Sequence, residues 1–253
     1  MFQIATLVAS AINFVAALLF GMLGVGAAPV FIVTMQGLGY ATVATVFPLA
    51  ILLNGINSGF ALIPFARGRA VDWRNGSLLA VAAGFFAFLG AYLAAYVPER
   101  ILLWALVVVL TALGLRTLML VRRTEPEAAP PTQRVLLIGL PAAAFAGFFG
   151  GLLAIGGGGI LAPFLLIIGY RMKQASGTTA FVATVASATG FLGFVAHAQI
   201  PLDFLVLSVV VISVASLIGA LLAVRVVKPS WLRVLLGLVI LVSAARILLN
   251  LVK

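Results

Sequence analysis

Long apolar stretches separated by short polar clusters run the whole length of the chain. Hydrophobic runs occupy roughly 2–22, 41–66, 74–97, 101–121, 135–153, 175–198, 203–226 and 230–251. Between them stand ARGRAVDWR at 66–74, VPER at 97–100, RRTEPEAAPPTQR at 122–134, HAQIPLD at 197–203 and VKPS at 227–230. A helix needs about 20 apolar residues to cross a hydrocarbon core of about 30 Å, so the pattern predicts eight spanning helices. Pro98 and Pro229 suit the first turn of a helix, where a missing N–H costs nothing. Two further apolar stretches are too short to cross as ordinary helices, PVFIVTMQGLGY at 29–40 and ILAPFLLIIGY at 160–170. Each follows a glycine-rich break, GVGA at 24–27 and IGGGG at 155–159. An 11-residue helix rises about 16 Å and four extended glycines add about 13 Å, so break and helix together just reach across.

Composition makes the membrane reading compulsory. Charged residues are 8% of the 253 and hydrophobic residues 64%, and mean hydropathy is +1.31. A soluble domain carries about 25% charged residues; this chain cannot cover a water-facing surface, and disorder is excluded with solubility. The net charge of +10 would fit a nucleic-acid binder only if it formed a basic tract or face. Here the cations are scattered singly between apolar runs, as cytoplasmic loops require, so no nucleic-acid partner is expected; membrane lipid is. No cysteine is present, which excludes thiol catalysis, disulfides and thiolate metal sites. His197 is the single histidine, so no histidine-rich metal site exists, and neither metal nor cofactor is expected. Met1 to Gly21 lacks a basic stretch ahead of its apolar run and reads as a retained first helix.

The two halves repeat. A shift of 130 residues brings Gly21 onto Gly151, Leu23 onto Leu153, Gly26 onto Gly156, Gly39-Tyr40 onto Gly169-Tyr170 and Arg116 onto Arg246. With one residue of slippage, Gly90 meets Gly219, Asp72 meets Asp203 and Pro98 meets Pro229. An ordered run of such matches is the mark of duplication. If the short segments do not cross, the repeats are parallel and the 15 cations divide nine to six. If both cross, the repeats are inverted. Arg67, Arg69, Arg74, Arg116, Arg122, Arg123, Arg134, Arg171, Lys173, Arg225, Lys228 and Arg233 then share one face, leaving Arg100, Arg246 and Lys253 on the other. Twelve against three is the division the positive-inside rule selects. The expected fold is therefore an all-α integral membrane protein of two inverted repeats, each with four full transmembrane helices and one short glycine-interrupted half-helix. The first repeat is 1–121, the second 134–253, and 122–133 is a cytoplasmic linker; both termini face outward.

Inverted repeats with broken helices at matching positions point to a secondary transporter. An unwound glycine run leaves backbone N–H groups without helical partners, tolerable in a membrane only beside protein or water. A helix starting after it aims its positive dipole end into the break, which favours an anion. The alternative is close helix packing, the better reading for the isolated pairs Gly55/Gly59 and Gly147/Gly151 but a poorer one for four consecutive glycines. The candidate substrate contacts are accordingly Gly156, Gly157, Gly158 and Gly159, with Gly24 and Gly26 in the first half. Asn54 and Asn57 share one face of their helix and have no local partner in lipid, and Asn13 is similar. Thr178 and Thr179 join them, although hydroxyls can satisfy their own helix backbone. All five acids (Asp72, Glu99, Glu125, Glu127, Asp203) fall in loops or at helix ends, leaving no intramembrane carboxylate for a proton relay. His197, near the outward end of its helix, is either an interfacial side chain or a proton-sensitive gate.

The block GLLAIGGGGILAPFLLIIGY at 151–170, followed by ASGTTA at 175–180, His197 near the end of that helix and Asp203 opening the next, resembles the second half of the TauE/SafE sulfite-exporter family of bacterial inner-membrane transporters. GMLGVGAAPVFIV at 21–33 and GRAVDW at 68–73 echo it in the first half, where Ala27 and Ala28 stand in place of glycines and the later proline is absent. Pro163, after the glycine block, is the most specific element. The resemblance covers nearly the whole chain and implies export of a small anion such as sulfite or an organosulfonate. The expectation is thus a carrier working by alternating access about a midplane site. An anion channel is the alternative; a membrane enzyme is not expected, because no nucleophile, base or metal cluster is visible within the bundle. Monomer and homodimer both remain open.

Overall fold

The computed structural model describes residues 2–119, 130–225 and 229–252, and among them the chain is helical without strands. Ten helical segments follow one another. The first half contains α1 (Phe2–Leu23), α2 (Ala28–Gly37), α3 (Thr42–Arg67), α4 (Trp73–Ala94) and α5 (Glu99–Met119). The second contains α6 (Thr132–Leu152), α7 (Gly158–Ile168), α8 (Met172–His197), α9 (Leu202–Arg225) and α10 (Pro229–Val252). Among the described residues α3, α4, α6, α8 and α9 are long and apolar enough to cross a membrane, and α2 and α7 are the short apolar helices at the expected places. The chain is a multi-pass membrane protein. Most of the linker, with Glu125 and Glu127, lies outside the described residues, as does the side chain of Asp203. Between α7 and α8, Arg171 is extended and Met172 already opens α8.

Packing partners recur under the 130-residue shift. α4 packs on α6 and α8, and its counterpart α9 packs on α1 and α3; α3 lies against α8, and α5 against α10. Equivalent helices touch in antiparallel fashion. The Gln199 N–H donates to the Ala44 carbonyl at 2.8 Å, joining the end of α8 to the start of α3. Further along, Gly55 faces Ser187, Gly59 faces Thr184 and Gly177 faces Phe65. Gly114 meets Leu241 and Gly237 meets Leu118 in the same sense between α5 and α10. At the α-helical i+4 position the Ala44 carbonyl would face the nitrogen of Pro48, which has no N–H to donate.

Small residues set the closest approaches. On α6, Gly147 and Gly151 lie one turn apart against Ala83 and Ala87 of α4, and a Cβ at either would collide with a backbone carbonyl. Between membrane helices, where lipid is as apolar as leucine, association rests on such backbone contacts rather than on hydrophobic exclusion. The outer faces carry exposed Val81, Phe85, Leu137, Val206 and Val242, as lipid-facing helices do.

Candidate functional site

The helix breaks of the two halves share part of their backbone and diverge at Gly157 (φ 70°), whose counterpart Ala27 has φ −105°. Gly26 (φ 76°) and Gly156 (φ 69°) both occupy the left-handed region, and Gly24 (φ 65°) is matched by Ala154 (φ 57°). The hydrogen bonds correspond as well: Gly24 N–H to Gly21 O repeats as Ala154 N–H to Gly151 O, and Val25 N–H to Phe20 O as Ile155 N–H to Gly150 O. Only glycine adopts the left-handed conformation without penalty, which explains why Gly26 and Gly156 coincide in the sequence repeat.

Their surroundings differ. The first break is closed by α3. Asn54 Oδ1 accepts from the Ala28 N–H (3.0 Å), and its Nδ2 donates to the Ser187 hydroxyl (3.1 Å). With its amide oriented to suit its neighbours, Asn57 Oδ1 accepts from the Ala27 N–H (3.0 Å), and its Nδ2 donates to the Ser216 hydroxyl (2.8 Å) and the Ala17 carbonyl (3.2 Å). The Ser216 hydroxyl in turn donates to the Asn57 carbonyl. Both asparagines are fully buried; they satisfy the free N–H groups that a helix start exposes. Among the described residues no side chain accepts from the N–H groups of Gly157 to Gly159 in the second break, where the Gly158 N–H donates to the Gly156 carbonyl (2.9 Å). Asn54 and Asn57 correspond there to Thr184, whose hydroxyl donates to its own helix at Ala180 O (2.7 Å), and to Ser187.

A cavity of about 70 Å³ lies between the breaks, room for several waters or a small oxyanion. Val25, Gly26 and Pro29 border it from the first break, and Ile155, Gly159 and Pro163 from the second. Leu110 of α5 and its repeat counterpart Ile240 of α10 also line it, as do Met172, Ala175 and Ser176 of α8. These last three fall at i, i+3 and i+4 and form one helix face. No Lys, Arg, Asp, Glu or His borders the cavity among the described residues.

Of the sequence-predicted contacts, the structure brings Gly26 and Gly159 to the cavity. Gly24 packs on the Ser176 carbonyl, Gly156 on Asn54 and Ser187, Gly157 on Ala146 and Gly158 on the Val25 carbonyl. Thr178 turns toward α4, its hydroxyl accepting from the Asp72 N–H at 3.1 Å. Thr179 is fully buried, and its hydroxyl has no partner among the described residues. Asn13 accepts from the Thr34 hydroxyl at 2.9 Å, joining α1 to α2. His197 is exposed at the end of α8 and does not border the cavity.

Sequence reasoning missed two features. One is Ser176, which shares the ASGTTA stretch with the threonines but faces the cavity. The other is a polar knot around Asp72. Its carboxylate caps α4 by accepting from the Asn75 N–H (3.1 Å), and accepts also from Asn75 Nδ2 (2.7 Å) and the Tyr170 hydroxyl (2.8 Å). Burial, reinforced by the Asp72 hydrogen bond, raises the Tyr170 hydroxyl above the ordinary tyrosine value. Tyr170 and Asp72 lie 98 residues apart, so no local pattern announced the pair.

Two halves each carrying a broken half-helix, with both breaks bordering one buried cavity, define the architecture of a membrane transport protein. The chain belongs to the family described as sulfite exporter TauE/SafE, which it matches over residues 9–247. It is 30% identical over 243 residues to the "Probable membrane transporter protein y4hK" of Sinorhizobium fredii, covering 93% of this chain and 95% of that protein. It is 25% identical over 158 residues to the "Probable membrane transporter protein YunE" of Bacillus subtilis, covering 56% and 57% respectively. As a member of this family the chain is a membrane transporter.

Proposed function

We propose that the protein is a secondary transporter that exports a small anion, sulfite or an organosulfonate, across the bacterial cytoplasmic membrane by alternating access, and that it is not an enzyme. The observation that carries this reading is the cavity bordered by both helix breaks, of which the first has its Ala27 and Ala28 N–H groups taken by asparagines while the second meets no side-chain acceptor among the described residues. The half-helix start supplies positive dipole and backbone donors, as an anion requires. The reading takes the two halves as inverted repeats; the antiparallel contact of α3 with α8 and of α5 with α10 supports it, because parallel repeats would run equivalent helices in the same direction. The charge division then puts the linker on the cytoplasmic side and both termini outside. In this scheme Gly156 to Gly159, Gly24 and Gly26 form the backbone of the site. Asn54 and Asn57 hold the first break in shape, and Thr178 and Thr179 lie beside it on α8.

Counterflow in proteoliposomes, with sulfite, thiosulfate, sulfoacetate and taurine, tests the proposal. A carrier exchanges labelled for unlabelled substrate with saturation. Flux without saturable exchange makes the protein a channel, and no flux of any of the four overturns the assignment. Topology is tested separately by single cysteines at 128, 173 and 200. The first two should react only from the cytoplasm and the third only from outside; labelling of 173 and 200 from the same face rejects the inverted arrangement.

A further inference from the structure

Among the described residues, the cavity between the breaks has one polar side chain on its wall. Ser176 is 4% exposed, borders the cavity and makes no hydrogen bond among the described residues. Buried hydroxyls are normally partnered, as those of Thr178, Thr184 and Thr189 on the same helix are; Thr179 shares the lack of a partner but does not border the cavity, whereas Ser176 does. Two backbone groups stand with it. Gly26 and Gly159 both border the cavity, and neither N–H has a partner among the described residues. Pro163 has no N–H, so the Gly159 carbonyl also lacks its usual i+4 donor. The remaining wall is aliphatic or aromatic, as at Phe20, Leu23, Leu113 and Leu166. The cations closest in sequence to the lining, Arg171 and Lys173, flank Met172 but are exposed, with Lys173 donating to the Val224 carbonyl at 2.9 Å. Arg116, one turn beyond Leu113, holds its guanidinium 5.0 Å from the centre of the Phe164 ring, and none of the three borders the cavity.

We infer that Ser176 is a substrate-contacting, specificity-determining residue, and that with the Gly26 and Gly159 amides it forms a site for singly charged oxyanions that excludes doubly charged ones. This inference rests on the transporter reading above. Three neutral donors and an apolar wall offset the desolvation of one delocalised charge. The cost of burying an ion rises as the square of its charge, and among the described residues no cation borders the cavity to compensate a second. The hydroxyl serves as a donor to the anion, and an apolar substituent on the anion would meet the aliphatic wall.

The test uses the full-length protein in proteoliposomes with methanesulfonate and sulfate, which share the sulfur–oxygen group but differ in charge. The wild type should exchange methanesulfonate and leave sulfate behind. Ser176→Ala should raise the KM for methanesulfonate on the order of tenfold while kcat changes little, and Ser176→Thr, which restores a hydroxyl, should recover most of the loss. Alanine is a good helix former and smaller than serine, so the detergent-solubilised variant should elute as the wild type does. An unchanged KM in Ser176→Ala, or sulfate carried as well as methanesulfonate, overturns the inference while leaving the transporter standing. No exchange of any sulfur oxyanion by the wild type overturns the transporter reading and the inference with it.

Discussion

The first and second helix breaks share left-handed residues at 24/154 and 26/156 but part at Ala27 and Gly157 and differ in bonding. In the first, the Ala27 and Ala28 N–H groups are taken by Asn57 and Asn54, and Pro29 removes the next donor altogether. In the second, the half-helix starts from Gly157 with no side-chain acceptor among the described residues, and Thr184 and Ser187 stand where the asparagines would be. Duplication therefore preserved part of the fold of the break and not its chemistry. One copy is held to α3 as a structural hinge point. The other keeps backbone donors in reserve, and the run GGGG in place of GAAP records that division in the sequence. The cavity lining is asymmetric as well: Met172, Ala175 and Ser176 of α8 border it, and no described residue of its counterpart α3 does.

The largest effect expected from this difference is on stability. Asn54→Ala strips the Ala28 N–H and the Ser187 hydroxyl of a buried partner and should cost about 3 kcal/mol. Thr184→Ala, at the equivalent position of the second half, should cost less than about 1 kcal/mol, because that hydroxyl only bonds its own helix. Denaturant or thermal unfolding in detergent measures both. Equal losses at the two positions would remove the contrast between the breaks.

Transport should separate two neighbouring glycines of the second break. At Gly157 a Cβ would sit 2.6 Å from the Ala146 carbonyl with φ at +70°, so Gly157→Leu should fail to reach a folded, monodisperse state. At Gly159 a Cβ would meet only Leu113, at 3.8 Å. Gly159→Leu should therefore fold, fill the cavity and reduce counterflow by at least tenfold. A folded and inactive Gly157→Leu, or a fully active Gly159→Leu, would show that the donors meet substrate elsewhere than at this cavity.

Much of this was legible in the sequence for physical reasons. Spans of apolar residues fix where helices lie, because lipid tolerates no other backbone, and the breaks stand where left-handed glycines interrupt them. The ends of α3, α4 and α9 fall within a few residues of the hydrophobic runs. The site was less legible. Asn54 and Asn57 were identified as the polar residues that need a reason to be buried, yet which partner satisfies them depends on a tertiary contact with a loop about 26 residues earlier. Thr178 and Ser176 lie two apart on one helix and face different neighbours; periodicity relates positions to each other but gives no absolute phase. The Asp72–Tyr170 pair and the Asn54–Ser187 pair, 133 residues apart, join the halves and leave no local trace.

A smaller effect should appear at alkaline pH. Tyr170, at the second-half turn, bonds Asp72 and is held protonated by burial. An unfolded tyrosine loses its proton near pH 10, while the folded one keeps it above that value. The folded state thus binds more protons there, so stability falls as pH rises past about 10. Below that pH the contribution is fully present. Tyr170→Phe should flatten this alkaline limb and cost about 1 kcal/mol at neutral pH, read from unfolding midpoints across pH. An unaltered limb in the variant would assign the alkaline loss to another group.

The smallest effect is expected at His197, and it bears on how the two breaks are driven. Coupling to protons usually requires an ionisable group inside the membrane. The cavity offers none among the described residues, and His197 is exposed at the end of α8, two residues before the Gln199–Ala44 contact that ties this end to α3. An anion leaving the cell is already assisted by an inside-negative potential worth about 2.3 kcal/mol per charge per 100 mV, so a uniport needs no further coupling. On this basis His197→Gln should keep most of its counterflow activity, and a pH gradient imposed at clamped voltage should drive no uphill accumulation in the wild type. Accumulation that follows the pH gradient and disappears in His197→Gln would make this histidine a proton carrier, and would move the energy-coupling step from the uncapped second break to the end of α8.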